Sequence, residues 1–388
     1  MADKKVTTGC LDGVRVLDLS RVQAGPRCGM MLSDLGAEVI KIEKPGGEDN
    51  RKAKPIFNGQ SVYFSAYNRG KKSLCLDLRH AEGKEVFFDL VKTADMVLEN
   101  FRPGTMEKMG LGYNELTKVK PDIIFIRVSG FGQYGPYKDR PAYDSLGQAM
   151  SGLMMLTGAQ VAGEPIATSF SVVDRTTALH AAIGALGALC HRLRTGRGQV
   201  IDVCIMDAAL TMTEVPTSYH LATGKEGGES SRQPYTAKDG WVMITAGTSP
   251  KLNKRIYEMI GQKYTGDQQP DSGSFFGPRI PALIDWCKER TVDEICEKLL
   301  AIGIPVGPVR SIPQVAKDPH LWAREMLVKV QDPVAGELHV PGLTIKFSET
   351  PGRIGPVPTP GQHADEILSQ LLKYDPARIE QLRAKKVI

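Results

Sequence analysis

LDGVRVLDLSRVQAGP (residues 11–26), CGMMLSDLGA (28–37) and EVIKI (38–42) follow one another with almost no chain between them, and their order decides the fold. In 14–19, VRVLDL, β-branched and aliphatic residues predict a short strand. Gly25 and Pro26 then open a segment with apolar positions at helical spacing that closes at Gly36, and EVIKI reads as the next strand. A strand–helix–strand unit with short loops implies parallel strands. The pattern recurs, with strands at 74–78, 96–99 and 123–128 (IIFIRV) and helices at 83–93 (GKEVFFDLVKT) and 113–118. The first part of the chain therefore predicts an α/β domain on a parallel sheet.

Residues 129–170 are rich in Gly and Pro and read as loop, with one helix at 143–153. A long Ala/Leu helix follows at 175–194; it is apolar nearly all round, which predicts burial on every side. TGRG (195–198) turns it into a strand at 200–204. After a helix at 206–222, GKEGGESSRQPY (224–235) is a polar, Gly-rich loop, and a second α/β segment runs from GWVMIT (240–245) to about residue 304. Prolines at 305, 308, 313 and 319 mark 305–340 as a connector, and HADEILSQLL (363–372) forms an amphipathic helix. The expected division is a large Rossmann-like domain over 1–205, a small α/β domain over 225–310, and a connector with a C-terminal return to the large domain over 311–388.

The composition excludes several functions. At 388 residues, 41% hydrophobic and 24% charged, the chain has a globular make-up. No apolar run nears the ~20 residues of a membrane span. The start, MADKKVTTGC, has neither a signal-peptide core nor an Arg-rich presequence, so a cytoplasmic location is expected. A net charge of +5 and 6% aromatics, without any nucleic-acid-binding pattern, argue against a nucleic-acid partner. Seven cysteines without CxxC spacing read as reduced thiols, and scattered histidines without HExxH predict no metal.

Three further blocks carry the chemistry: NRGKKSLCLDL (68–78), ENFRPGTMEKMGLGY (99–113) and SVVDRTTALHAAIGALGAL (171–189). NRGKKS is not a P-loop, because Ser65 stands where the first Gly is required, and GTMEKMGLGY is not G-x-G-x-x-G. With no ATP cradle and no dinucleotide fingerprint, the substrate must arrive already activated. Asp174 stands where an extended segment becomes the long helix. It is a candidate carboxylate nucleophile; its structural alternative is a helix N-cap, whose donors and dipole would keep it ionised.

These blocks, with RTGRGQVIDV (194–203) and PTPGQHADEIL (358–368), resemble the family III CoA-transferases (CaiB/BaiF family), relatives of formyl-CoA transferase and carnitine CoA-transferase, over nearly the entire chain. The resemblance implies a transferase of sulfur-containing groups with Asp174 as nucleophile and Gln23 beside it. An acyl-CoA donor acylates Asp174, the CoA thiolate converts the anhydride into an aspartyl-CoA thioester, and an acceptor carboxylate reverses the steps. Coenzyme A enters as substrate, with no permanently bound cofactor. Its site would be Val22, Lys44, Lys71, Asn100, Phe101, Lys108 and Met109, with Lys72 and Arg102 adjacent. Tyr143 would line the acyl pocket, and Gly227 and Gly228 align with a glycine loop that covers the site. Ala178, where the family often has Gly, and Arg175 depart from the pattern and bear on pocket shape. An interlocked homodimer is implied as well.

Two alternatives stay open. An α-methylacyl-CoA racemase needs a histidine where this chain has Tyr143, and His180 is out of phase with Asp174 on its helix. A non-catalytic acyl-CoA-binding protein would not need Asp174 and Gln23.

Overall fold

The computed structural model describes residues 9–158, 163–227, 233–246, 249–266 and 279–388. The chain divides into two compact units, Met1–Met212 with His320–Ile388, and Thr213–Pro319.

The first unit is built on a six-stranded parallel sheet. Its chain order begins with β1 (Arg15–Asp18), α1 (Ala24–Asp34) and β2 (Glu38–Glu43). A small hairpin of β3 (Ile56–Phe57) and β4 (Gln60–Ser61) leads into α2 (Val62–Asn68) and β5 (Lys72–Cys75). Next come α3 (Ala81–Thr93), β6 (Met96–Glu99), α4 (Thr105–Lys108), α5 (Tyr113–Val119) and β7 (Ile124–Ser129). The helices α6 (Asp144–Met150), α7 (Leu153–Gly158) and α8 (Val172–Thr195) precede β8 (Val200–Cys204) and α9 (Ile205–Leu210). The strand order is β5-β2-β1-β6-β7-β8, every pair parallel, with Leu17 opposite both Ile40 and Val97.

Successive strand residues point to opposite faces, and both faces are covered. Leu17, Ile40, Leu74, Val97 and Phe125 meet Phe87 and Leu90 of α3 together with Leu368 and Leu382 from the C-terminal return. On the other face Val16, Val39, Leu98 and Ile126 meet Leu32 of α1 and Ala181 and Ala185 of α8. The sequence order of the strands reverses between β1 and β6. Doubly wound sheets open a ligand crevice at such a reversal, beyond the carboxyl ends of the strands.

Helix α8 corrects one expectation. Its small-residue side (Ala178, Ala181, Ala182, Ala185, Ala188) packs against the sheet and α1, but Leu179, Ile183 and Leu193 are 43%, 64% and 76% exposed. The Ala-rich side admits close packing on that side alone, and the larger apolar residues stay outside this chain's core. The predicted 206–222 helix is two helices, α9 and Glu214–Thr223. The predicted connector contains the antiparallel hairpin Leu327–Asp332 and Gly336–Pro341, whose alternating pattern lies hidden among the prolines. The second unit has its own antiparallel sheet, Tyr235–Thr236, Trp241–Ile244 and Val306–Pro308, over a core that includes Val242, Ile256, Leu283 and Leu299. Among the described residues no helix is long and apolar enough to cross a membrane.

Candidate active site

The turn after β1 rests on buried charges. Asp18 Oδ2 pairs with Lys71 Nζ at 2.7 Å, and Oδ1 accepts the Ser20 N–H at 2.9 Å and the Ser20 hydroxyl. Burial pushes the Asp18 carboxyl up, but Lys71 and Lys41 outweigh it and hold the group below its ordinary value. Lys41, also buried, donates to the Ser20 carbonyl at 2.9 Å and pairs with Glu48 at 2.7 Å. Two glycines let α1 lie on this network. A Cβ on Gly25 would fall 2.3 Å from Ser20 Cβ, and one on Gly29 would fall 2.7 Å from Asp18 Oδ2. Within the turn Val22 has φ 69, a left-handed conformation that a β-branched residue adopts only under strain. It delivers Gln23 to the N-cap position of α1.

The loop after β6 meets this turn across the crevice. The Asn100 side-chain amide accepts from the Arg21 N–H and donates to the Arg21 carbonyl, both at 2.7 Å, so it clamps the backbone of the facing loop. The Phe101 ring lies 5.0 Å from the Arg21 guanidinium. Glu99, buried beneath, accepts the Phe101 N–H at 2.6 Å and Arg127 Nε at 2.9 Å; burial, only partly opposed by Arg127, raises its carboxyl to about 7.

Between these loops opens a groove of about 380 Å³ lined by Arg21, Val22, Gln23, Glu48, Asn100, Phe101, Arg102, Arg140, Tyr143 and Asp174. A second cavity of about 310 Å³ shares Val22, Gln23, Tyr143 and Asp174 with it and adds Tyr63, Asp144, Gln148, Thr168, Phe170 and Ser171. Asp174 thus stands where a groove carrying Arg21, Arg102 and Arg140 together with Glu48 and Asp49 meets a second, slightly smaller pocket. Gln23, 2% exposed, is oriented by Tyr63, whose hydroxyl donates to Gln23 Oε1 at 3.2 Å, while Gln23 Nε2 faces the Ser171 carbonyl at 3.5 Å.

Asp174 is buried, and its carboxyl is raised to about 7, first by burial and then by the Asp144 carboxylate, with Arg175 acting against both. It does not cap α8, as its place at the helix start had suggested. It is the third residue of the helix, and its side-chain oxygens accept no hydrogen bond among the described residues. The capping acceptor is Asp144, which takes the Val173 and Asp174 N–H groups at 2.7 and 3.0 Å. The expected capping donors are therefore absent, and the carboxyl lies near neutrality instead of being held fully ionised.

The structure brings Val22, Gln23, Asn100, Phe101, Arg102, Tyr143 and Asp174 together on the cavities. It moves two lysines away from the expected phosphate role. Lys71 is sealed in the interior, donating to Asp18, to the Pro26 carbonyl at 2.8 Å and to Asn68 at 2.9 Å. Lys72 pairs with Glu38 and Glu366 at 2.5 and 2.6 Å. Lys44 is exposed and paired with Asp49, a residue of the groove lining. Lys108 is exposed at the end of α4, and Met109 packs on the sheet core. Gly227 belongs to the second unit and has φ 142; Gly228 lies outside the described residues.

Sequence reasoning missed Arg21, Arg140, Tyr63 and Asp144. Arg21 lies within the first block, and Arg140 and Asp144 flank Tyr143, which the resemblance had singled out; Tyr63 carries no local signal, because only the fold turns it toward the crevice.

The family model for CoA-transferase family III matches residues 11–364. A succinyl-CoA–D-citramalate CoA-transferase of Chloroflexus aurantiacus is 36% identical, over 97% of this chain and 98% of its own. A formyl-CoA:oxalate CoA-transferase of Afipia carboxidovorans is 32% identical, over 96% of each chain. The crystal structure of a CaiB/BaiF family protein from Brucella suis superposes with a TM-score of 0.80 at 32% identity, covering 94% of this chain and 100% of that one.

Proposed function

The chain belongs to CoA-transferase family III and is a CoA-transferase, and from that premise we propose that it moves coenzyme A between an acyl-CoA and a dicarboxylic acid through covalent intermediates on Asp174. The observation that carries this reading is the position of Asp174 at the junction of the two cavities. The groove takes coenzyme A, and the pocket takes the acyl group and then the acceptor acid. Arg21, Arg102 and Arg140 supply fixed cations for the phosphates, and Phe101 offers an apolar face to the adenine.

The Asp174 carboxylate attacks the thioester carbonyl, the C–S bond breaks, and an aspartyl anhydride and CoA thiolate form. The thiolate attacks the aspartyl carbonyl, expelling the donor acid as a carboxylate and leaving an aspartyl-CoA thioester. The acceptor carboxylate attacks that thioester, thiolate leaves, and thiolate then attacks the acceptor carbonyl of the new anhydride to release Asp174. Each step exchanges one acyl bond for another, so no ATP is consumed. The Gln23 amide, oriented by Tyr63 and lining both cavities with Asp174, is the donor this reading assigns to the developing oxyanion. A carboxyl raised to about 7 is more basic than an ordinary aspartate and is still largely ionised above neutrality.

The dicarboxylate class rests on the succinyl, citramalate and oxalate named for the relatives and on the polar pocket wall of Tyr63, Gln148, Thr168 and Ser171. Among the described residues no histidine lines either cavity, which disfavours α-proton exchange as the chemistry. The exposed apolar face of α8 supports a second copy of the chain as partner, with the interlocked homodimer as its form. The test is incubation with succinyl-CoA followed by hydroxylamine. A hydroxamate at Asp174, found by peptide mass analysis, is expected; adducts only at other residues, or none, would refute the mechanism.

A further inference from the structure

Asp144 sits in α6, thirty residues before the nucleophile, and is 8% exposed. The N-cap residue of α8, Ser171, makes no side-chain capping bond. Asp144 Oδ1 replaces it by accepting from Val173 and Asp174, two of the N–H groups that a helix start leaves without intrahelical partners. Asp144 Oδ2 accepts from Gln148 Nε2 at 2.5 Å. Gln148, 1% exposed, accepts the Thr168 N–H at 2.9 Å through its own oxygen, and the Thr168 hydroxyl donates to the Phe170 carbonyl at 2.7 Å. The segment entering α8 and the first turn of α8 are therefore tied to one carboxylate. Gly147 permits the close approach, since a Cβ there would fall 2.5 Å from Ile205 Cγ2 and 3.2 Å from Val173 Cγ1.

The donors all run toward Asp144. Only a carboxylate accepts on both oxygens, whereas an asparagine would turn an N–H₂ toward the Gln148 N–H₂. Asp174 is aimed through its backbone, because its own oxygens have no hydrogen bond among the described residues. We propose that Asp144 is a positioning residue for Asp174, gripping the backbone N–H groups of Val173 and Asp174 so that the Asp174 carboxylate is aimed into the cavities.

This inference rests on the reading of Asp174 as nucleophile. Among the described residues, the charged and titratable groups around Asp174 are Asp144 from α6 with Tyr143 just before it, Arg175 from α8 itself and Tyr63 from α2, with Arg27 of α1 next to Arg175 and Tyr67 and Glu48 next to Tyr63. Among the described residues Asp144 is the one carboxylate acting directly on Asp174, and its charge acts in the same direction as burial.

The test is single-turnover formation of the Asp174 adduct from succinyl-CoA across pH 5.5–9 in the full-length wild type and Asp144→Asn. In the wild type the rate should rise with pH through a midpoint near 7, since the ionised form reacts. In Asp144→Asn the midpoint should fall by about one pH unit, because the like charge is gone. The plateau rate should fall roughly tenfold or more through lost aim, with affinity for the thioester little changed. A variant that keeps both the wild-type midpoint and plateau overturns the role of Asp144 while leaving Asp174 as nucleophile. A wild type with no Asp174 adduct overturns the nucleophile, and this proposal with it. Asp144→Ser, which keeps an acceptor oxygen without charge, replaces the asparagine variant if that one does not fold. If neither folds, Asp144→Glu, which keeps the charge but moves the acceptor oxygens, decides: a plateau rate lowered several-fold with thioester affinity little changed supports the inference, and an unchanged plateau overturns it.

Discussion

Lys71 and Asp18 face each other across 2.7 Å with neither side chain reaching solvent. The pair underlies the turn that carries Val22 and Gln23, so this lysine serves the site from inside the fold. Removing one partner of a buried ion pair leaves the other uncompensated. Lys71→Ala should lose roughly 3–5 kcal/mol of stability in denaturant unfolding. The KM for acyl-CoA of the folded fraction should stay essentially unchanged. A stable Lys71→Ala protein with a greatly raised KM would restore the lysine to a phosphate-binding role.

Arg21 and Arg140 line the groove, with the Arg21 guanidinium over the Phe101 ring and that of Arg140 over the Tyr137 ring. Each contact to a phosphate is worth on the order of 1.5–3 kcal/mol. Arg21→Ala and Arg140→Ala should each raise the KM for acyl-CoA about tenfold or more with a much smaller change in kcat, and added salt should narrow the gap from wild type. Steady-state kinetics at two ionic strengths checks this; an unchanged KM in both variants would remove the groove as the phosphate site.

Asp174 places activity and stability in opposition. Its carboxyl is raised to about 7 in the folded chain, so between about pH 4 and 7 the folded state binds a proton that the unfolded state has released. Stability from this group is therefore lost as pH rises through that window. Asp174→Asn should match the wild type below about pH 4 and exceed it above pH 7 by on the order of 4 kcal/mol. Denaturant melts at pH 4, 6 and 8 measure the difference, and a gap independent of pH would contradict it.

Val22 stores backbone strain at φ 69. Val22→Gly relieves a left-handed conformation costing about 1–3 kcal/mol, but it also frees the turn that presents Gln23. A small gain or no change in melting temperature, together with a clearly lower kcat, is the expected pair of results. Unchanged kcat would show that the strain is incidental to catalysis.

The exposed Ile183 on α8 tests the second copy. Ile183→Glu should shift the molecule toward monomer in light scattering, whereas a wild type already monomeric at micromolar concentration would rule out that partner.

Much of the fold was legible because its signals are local. VRVLDL, EVIKI and IIFIRV carry the residue types of buried parallel strands, and the short loops between elements leave few ways to connect them. Val22, Gln23, Asn100 and Phe101 were singled out through the resemblance of their blocks to a known family, and the structure sets them on the cavities because they sit in the turns after β1 and β6. Boundaries were less secure where tertiary packing overrides propensity, as at the break between α9 and Glu214–Thr223. The hairpin at Leu327–Asp332 was obscured because the prolines around it dominate the local reading.

By itself, the amino-acid order determined the repeating strand–helix units, the turn chemistry and Asp174 as the residue to watch, since each depends on neighbours close along the chain. Tertiary structure alone decided which charges face the crevice. Lys71 and Lys72 look as available as any lysine until the sheet buries one against Asp18 and pairs the other with Glu38 and Glu366. Arg140 and Asp144 acquire their places only when a distant loop and helix fold back over α8. Charge partners and solvent exposure are properties of three-dimensional neighbours, and chain spacing does not encode them.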